Sequence, residues 1–278
     1  MTAPLALPLR LTLLALLLHP LGAPPLRVGL LALACAGLLS SRVLRHPALW
    51  LTLSALLAVR VLQSWPLADN HAYLLVYWSL AAALALAGDD PARDLAWNGR
   101  VLVGLAFAFA ALWKLALSPD YLDGTFFRVT LLEDRRFADL ARTVGGLAPE
   151  PYQTLRAFVT THADGVAGPW REGPRQPAGF VRLAGALSFG TLALEAALAL
   201  SFLAPLLRGV TRARDPLLLV FCATVYAVAT VETFGWLLLA MGLAQCHPGR
   251  RSTRAAYLAV YALVLAYREL EPLRWLVG

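Results

Sequence analysis

Cysteine is scarce in this chain. Cys35, Cys222 and Cys246 are the three present, with no CxxC pair and no Cys/His spacing suited to a metal. A disulfide scaffold, a structural zinc site and a thioredoxin-like motif are thereby set aside, and the thiols are expected to be small apolar fillers. No metal is expected. The period-two alternation of a membrane β-barrel is also missing from the apolar runs. No internal repeat and no second domain is visible, so residues 1–278 are expected to form a single domain.

Apolar residues are abundant instead. They make up 59% of the 278 residues, and the mean hydropathy is +0.64. Soluble domains are about 45–50% apolar. The excess sits in Leu/Ala/Val runs, several of them near the ~20 residues that a helix needs to cross the hydrocarbon core. A helix satisfies its own backbone hydrogen bonds in lipid. The net charge is +7, from 24 basic and 17 acidic residues. The charges lie mostly between apolar runs, where arginine faces lipid headgroups, so a nucleic-acid partner is not expected.

The expected fold is therefore all-α, a polytopic transmembrane helix bundle of about seven or eight spans with an amphipathic interfacial helix. The spans read as about 5–21, 24–44, 47–64, 71–88, 96–117, 180–207, 216–243 and 254–270. The surrounding partner is the lipid bilayer, and the expected location is a bacterial inner (cytoplasmic) membrane crossed several times. The first run also fits a signal peptide, with Arg10 ahead of an apolar stretch that ends near Ala23. Retention as a short helix or hairpin half is the favoured reading. Residues 118–179 form the one long segment outside the spans. Within it Phe137, Leu140, Ala141 and Val144 fall at helical spacing, with charged residues between them. That predicts an interfacial helix over 133–145.

Orientation is left with a conflict. Arg42, Arg45 and His46 follow the second span and Arg208, Arg212 and Arg214 the sixth, and both clusters can be cytoplasmic, with the Lys- and Arg-free loop 65–70 outside. If 216–243 is a simple crossing, Arg250, Arg251 and Arg254 fall on the other side, against the positive-inside rule. Either that segment is not a simple crossing or the rule fails there.

Arg60, Lys114, Glu195 and Glu232 lie inside apolar runs. A charge at mid-membrane costs more than ~2.5 kcal/mol even on lenient scales. Spans 47–64, 71–88 and 96–117 are consecutive, so Arg60, His71 and Lys114 belong toward the same membrane face. Glu195 lies mid-span, and Glu232 is displaced toward that face. One polar cluster is expected. The plainer readings are that Arg60 and Lys114 snorkel to the headgroups, that His71 caps its helix and that the glutamates form structural ion pairs.

Four segments resemble the HTTM family, the transmembrane domain shared by vitamin K-dependent γ-carboxylase and many bacterial membrane proteins. Asp69-Asn70-His71-Ala72-Tyr73-Leu74-Leu75 resembles its Asn-His-x-Tyr-Leu element. Leu112-Trp113-Lys114 with Asp120-Tyr121-Leu122-Asp123-Gly124 resembles its helix-ending Lys and the Asp-Trp-x-x-Gly that follows. Ala193-Leu194-Glu195 with Leu203-Ala204-Pro205 is similar to its Glu/Pro helix, and Phe234-Gly235-Trp236-Leu237-Leu238 to its late Phe/Gly/Trp segment. The four come in the family's order over about 69–245. Two features depart from it. Ala223-Thr224-Val225-Tyr226 stands where the family often has a His, and the chain ends at Gly278 with nothing like the animal carboxylase's large soluble domain. The expectation therefore does not extend to carboxylation of a docked protein.

The resemblance implies a quinone or vitamin K-like hydroquinone as lipid-soluble partner. It implies Lys114 as the base that deprotonates it and His71 as its support. Glu195 and Glu232 complete the expected catalytic set, and Arg60, Asn70, Trp113, Tyr121 and Trp236 are the residues expected to contact the cofactor. Desolvation and a neighbouring Arg60 would favour a neutral lysine, and a nearby glutamate would oppose it. Two other classes stay open. One is a non-catalytic membrane accessory or immunity subunit, whose protein partner the residues do not identify. The other is a small-solute transporter, against which the absence of inverted repeats and of paired Gly/Pro-broken spans argues mildly.

Overall fold

The computed structural model describes residues 3–19, 21–65, 69–161, 173–204, 211–226 and 232–269. Every regular element among them is a helix: α1 (Ala3–Leu18), α2 (Pro24–Leu39), α3 (Ser41–Leu44), α4 (Pro47–Gln63), α5 (Asn70–Ala87), α6 (Pro91–Leu117), α7 (Pro119–Leu122), α8 (Thr125–Glu133), a 3-10 turn (Arg135–Phe137), α9 (Ala138–Thr143), α10 (Pro149–Thr161), α11 (Ala178–Leu203), α12 (Arg214–Val225), α13 (Glu232–Gln245) and α14 (Arg251–Glu269). Five of them begin on proline, whose fixed φ suits the first helical position and whose missing N–H is not needed there. Ser40 and His46 cap α3 and α4 by accepting from the backbone N–H groups of Val43 and Ala48.

Three helices are long and apolar enough to cross a membrane: α5, α6 and α11. The apolar stretches of α1, α2, α4 and α13 are shorter, at 10–17 residues. Only 22% of the most apolar stretch of α6 is buried inside the protein. Phe109, Leu112, Trp113, Leu115 and Leu117 face outward on that helix. Such a face is costly in water and ordinary in lipid. The protein is an all-helical membrane protein.

The described residues form two compact units, residues 3–106 with 198–269 and residues 107–197. In the first, several buried polar side chains bond to backbone carbonyls or to one another, which offsets the cost of burying them. The Trp50 indole donates to the Leu44 carbonyl at 2.8 Å and Tyr261 to the Leu11 carbonyl at 2.8 Å. The Trp78 indole donates to the Thr12 hydroxyl at 2.9 Å, which donates in turn to the Pro8 carbonyl at 3.0 Å. Through these bonds α1 belongs to the core. Gly99 of α6 lies against α13 so closely that a Cβ there would come within 2.9 Å of the Met241 carbonyl oxygen.

The segment read as one span over 216–243 is two helices packed as a hairpin. Asp215 opens α12 and Gln245 closes α13. The Gln245 amide donates to the Asp215 carboxylate at 2.5 Å, and Tyr257 of α14 donates to the same oxygen at 3.0 Å. In one continuous helix residues 215 and 245 would stand about 45 Å apart. No Gly or Pro lies in 226–231 to announce the reversal. Arg250 and Arg254 lie at the same end of the hairpin, Arg250 3.4 Å from the Asp215 carboxylate and Arg254 donating to the Leu243 carbonyl at 3.3 Å.

The second unit has its own core, made of Leu131, Leu132, Ala141, Leu147, Tyr152, Leu155, Val159, Phe180 and Ala184. It corrects the expectation of one helix over 133–145. Asp134 is extended, at φ −84° and ψ 112°, and ends α8 before the 3-10 turn and α9 begin. Phe137, Leu140 and Ala141 turn inward onto α8, α10 and α11 rather than toward lipid, and Val144 alone of that stripe is exposed.

Asp215 is 2% exposed, and its second oxygen lies 3.4 Å from Arg250. Removing it leaves buried donors without an acceptor. Asp215→Ala is expected to cost about 3–5 kcal/mol, and Asp215→Asn, which still accepts one bond, about 1–2 kcal/mol. Thermal unfolding in detergent measures both. Equal melting temperatures for wild type and the Ala variant would contradict the assignment.

Candidate functional site

The chain contains 23 arginines and one lysine, Lys114. It lies on the last turn of α6, where a cation also complements the helix dipole. Its ammonium donates to Oε1 of Glu195, in the middle of α11. The two side chains are 20% and 8% exposed. This ion pair links two of the three long apolar helices, and both partners belong to the second unit.

A local turn brings an aromatic ring onto the pair. Pro119 starts the short α7, and Gly124 at φ +78° reverses the chain into α8. A Cβ at Gly124 would come within 3.3 Å of the Gly185 backbone nitrogen, so both the conformation and the space call for glycine. The turn sets Tyr121 beneath Lys114, with Nζ 4.7 Å from the ring centroid, a cation–π distance. Phe126 and Phe127 flank the same ring at 5.3 and 5.6 Å between centroids. The Tyr121 hydroxyl pairs with Thr191, which sits one turn before Glu195 on the same face of α11. Burial pushes this hydroxyl up to about 12, against the opposing effect of Thr191 and with a further push from Glu195. Tyr121 therefore stays protonated at physiological pH.

Glu195 has one more feature. Its second oxygen, Oε2, is buried and has no hydrogen-bond partner among the described residues. A buried carboxylate oxygen without a donor is costly, and it is an open acceptor for a hydroxyl or N–H group of a ligand. The arrangement can exchange a proton between Lys114 and Glu195 through their direct contact.

Arg60, Asn70, His71, Glu232 and Trp236 belong to the first unit. Arg60 contacts the Ser64 hydroxyl. His71 starts α5, half-buried, with its Nε2 4.0 Å from the Asp69 carboxylate. Asn70 is exposed. Trp236 is fully buried, stacked on Tyr261 at 5.9 Å and beside His19 at 4.5 Å. Its indole N–H has no partner among the described residues. Glu232 opens α13, and its side chain lies outside what is described. Trp113, next to Lys114 in the second unit, is 61% exposed. Among the described residues no group of three or more His, Cys, Asp or Glu is placed to hold a metal.

Two residues escaped the sequence reading. Asp215 stands beside Arg214 at the edge of an apolar run and so reads as an interfacial charge. Thr191 is an ordinary helix residue until Tyr121 folds back against it. Its spacing of four from Glu195 was the available signal.

These features define a helical membrane protein with a buried Lys–Glu pair under an aromatic wall. No protein-family model matches the chain, and no curated protein or solved structure matches it either.

The pair makes a thermodynamic prediction. Glu195→Leu leaves the ammonium without its acceptor and is expected to cost about 3–5 kcal/mol, whereas replacing both partners, Lys114→Met with Glu195→Leu, recovers most of that. Melting temperatures of the two single variants and the double variant measure the coupling. Strictly additive losses would mean that the two side chains do not interact.

Proposed function

We propose that this chain is an HTTM-type membrane enzyme that takes a proton from a hydroquinone or a similar lipid-soluble hydroxyl compound, with Lys114 as the base. The observation that carries the reading is the Lys114–Glu195 pair with Oε2 of Glu195 left open. It supports the role that the family resemblance gives to the same lysine, and the residues fit such a ligand. Oε2 would accept from its hydroxyl, and the Tyr121 and Phe126 rings offer apolar faces beside it. When bound, a hydroquinone supplies an acidic hydroxyl and reducing equivalents.

The chain's own part is proton handling. Glu195 takes the ammonium proton through its direct contact, which leaves Lys114 as a free amine able to accept the hydroxyl proton. Tyr121 holds Lys114 over its ring and limits water on that side. Thr191 holds Tyr121.

A transporter is the second reading, and the α12–α13 hairpin favours it. Discontinuous helices within apolar segments build solute sites in transporters. Solute uptake into proteoliposomes without quinol turnover would select that reading.

The proposed topology has seven crossings, α1, α2, α4, α5, α6, α11 and α14, with α12–α13 entering and leaving on one face. The face with Arg42, Arg45, Arg212, Arg214, Arg250, Arg251 and Arg254 lies in the cytoplasm of a bacterial inner membrane. The arginines of 118–177 do not oppose this, since the rule weakens for long loops. A cysteine introduced at Asp89 should be reached by an impermeant maleimide only from the cytoplasmic side, and one at Asp69 only from outside. The reverse pattern would invert the assignment.

Lys114→Arg and Lys114→Met test the base. Arginine keeps the charge but does not release its proton, because its pKa exceeds about 12. Both variants should insert and fold yet lose oxidation of an added hydroquinone by dioxygen, the two-electron acceptor in the assay, by at least ~100-fold. An active arginine variant would end the case for Lys114 as base.

A further inference from the structure

The second unit carries another polar feature that the Lys114 pair does not use. Between the segment 135–143 and α10 opens a cleft of about 270 Å³. One wall is Arg135, Ala138 and Arg142, and the other is Pro149, Tyr152, Gln153 and Arg156. Both sets follow helical spacing, so each segment turns one face to the cleft. The opposite faces, with Ala141 on one side and Leu155 and Val159 on the other, are buried in the core. The walls are therefore fixed by packing.

Three arginines line this one cleft, and no carboxylate is among the described lining residues. Asp139 reaches Arg142 at 3.9 Å, but the two side chains are 78% and 46% exposed, so that pair neutralises little. Arg135 and Arg156 have no ion-pair partner among the described residues. Like charges held together repel one another, and a bound anion relieves that repulsion. The planar fork of arginine matches the oxygens of a phosphate. A second observation points the same way. The hydroxyl of Tyr152, a residue only 4% exposed, has no hydrogen-bond partner among the described residues. Gln153 adds an amide donor. The volume falls just below the ~300 Å³ at which drug-sized pockets begin, which suits a headgroup or a diphosphate.

We propose that this cleft is a binding site for a phosphate-bearing ligand, gripped by Arg135, Arg142 and Arg156. The phosphate arrives either on a lipid headgroup or on a soluble phosphate ester. The assignment rests on neither the quinone reading nor the orientation.

Full-length protein in neutral detergent, titrated with inorganic pyrophosphate at constant ionic strength, tests the soluble source. Nanodiscs of phosphatidylglycerol and of phosphatidylcholine, read by lipid retention in native mass spectrometry, test the headgroup. Arg142→Gln with Arg156→Gln should weaken binding by at least about tenfold, and the paired lysine substitutions by less. Saturable stabilisation by pyrophosphate alone would assign a soluble ester. Retention of phosphatidylglycerol alone, lost in the glutamine variant, would assign a headgroup. Phenylglyoxal modification of wild type keeps the test independent of how the variants fold, because an occupied cleft protects Arg142 and Arg156. If neither probe protects those arginines, or if the glutamine variant binds both probes as wild type does, the proposal is overturned.

Discussion

A charge in an apolar helix needs an opposite charge close by, and Lys114 has Glu195. Neither reaches bulk water easily, so each fixes where the other must be, and α6 is held to α11 at that point. The turn from α6 through α7 then has a geometric task, which is to return the chain while covering the pair. Pro119, Gly124 and Tyr121 perform it. Tyr121 contributes its ring to the ammonium and its hydroxyl to Thr191, so the aromatic wall is tied to the helix that carries the carboxylate.

The first unit answers the same constraint differently. Its interior holds the Trp50, Trp78, Thr12 and Tyr261 side chains, which find backbone carbonyls or one another, and a carboxylate, Asp215, that gathers donors from α13 and α14. That carboxylate closes the open end of the α12–α13 hairpin. Arg250 lies at that same end, 3.4 Å from the second oxygen of Asp215.

Much of this was legible before the fold. The starts of α2 and α4 follow from Pro24 and Pro47, and the end of α5 from Gly88, because these residues act locally. The importance of Lys114 and Glu195 was legible from cost alone, since a charge in an apolar run demands a partner. That 216–243 is not one helix was legible only as one side of the conflict with the positive-inside rule. Residues 226–231 are Tyr-Ala-Val-Ala-Thr-Val, which carry no local break signal, and the bond from Gln245 to Asp215, thirty residues apart, is what shows the two helices to be side by side. Periodicity found the apolar stripe of Phe137, Leu140 and Ala141 but not its destination. A stripe is equally suited to lipid or to a protein core, and only the presence of Tyr152, Leu155 and Phe180 opposite it decides. The wall of the candidate site was visible only through family likeness at Tyr121, because aromatic contact across a turn leaves no spacing rule.

The central claim is that Lys114 and Glu195 share a proton site open to a lipid-soluble hydroxyl ligand. Because Lys114 is the only lysine, protein labelled with 15N-lysine shows a single side-chain amine resonance. That resonance should move on Glu195→Gln, and it should move in wild type on titration with menadiol in nanodiscs, with the menadiol response lost in the Glu195→Gln variant. A resonance that ignores both the substitution and the hydroquinone would contradict the account.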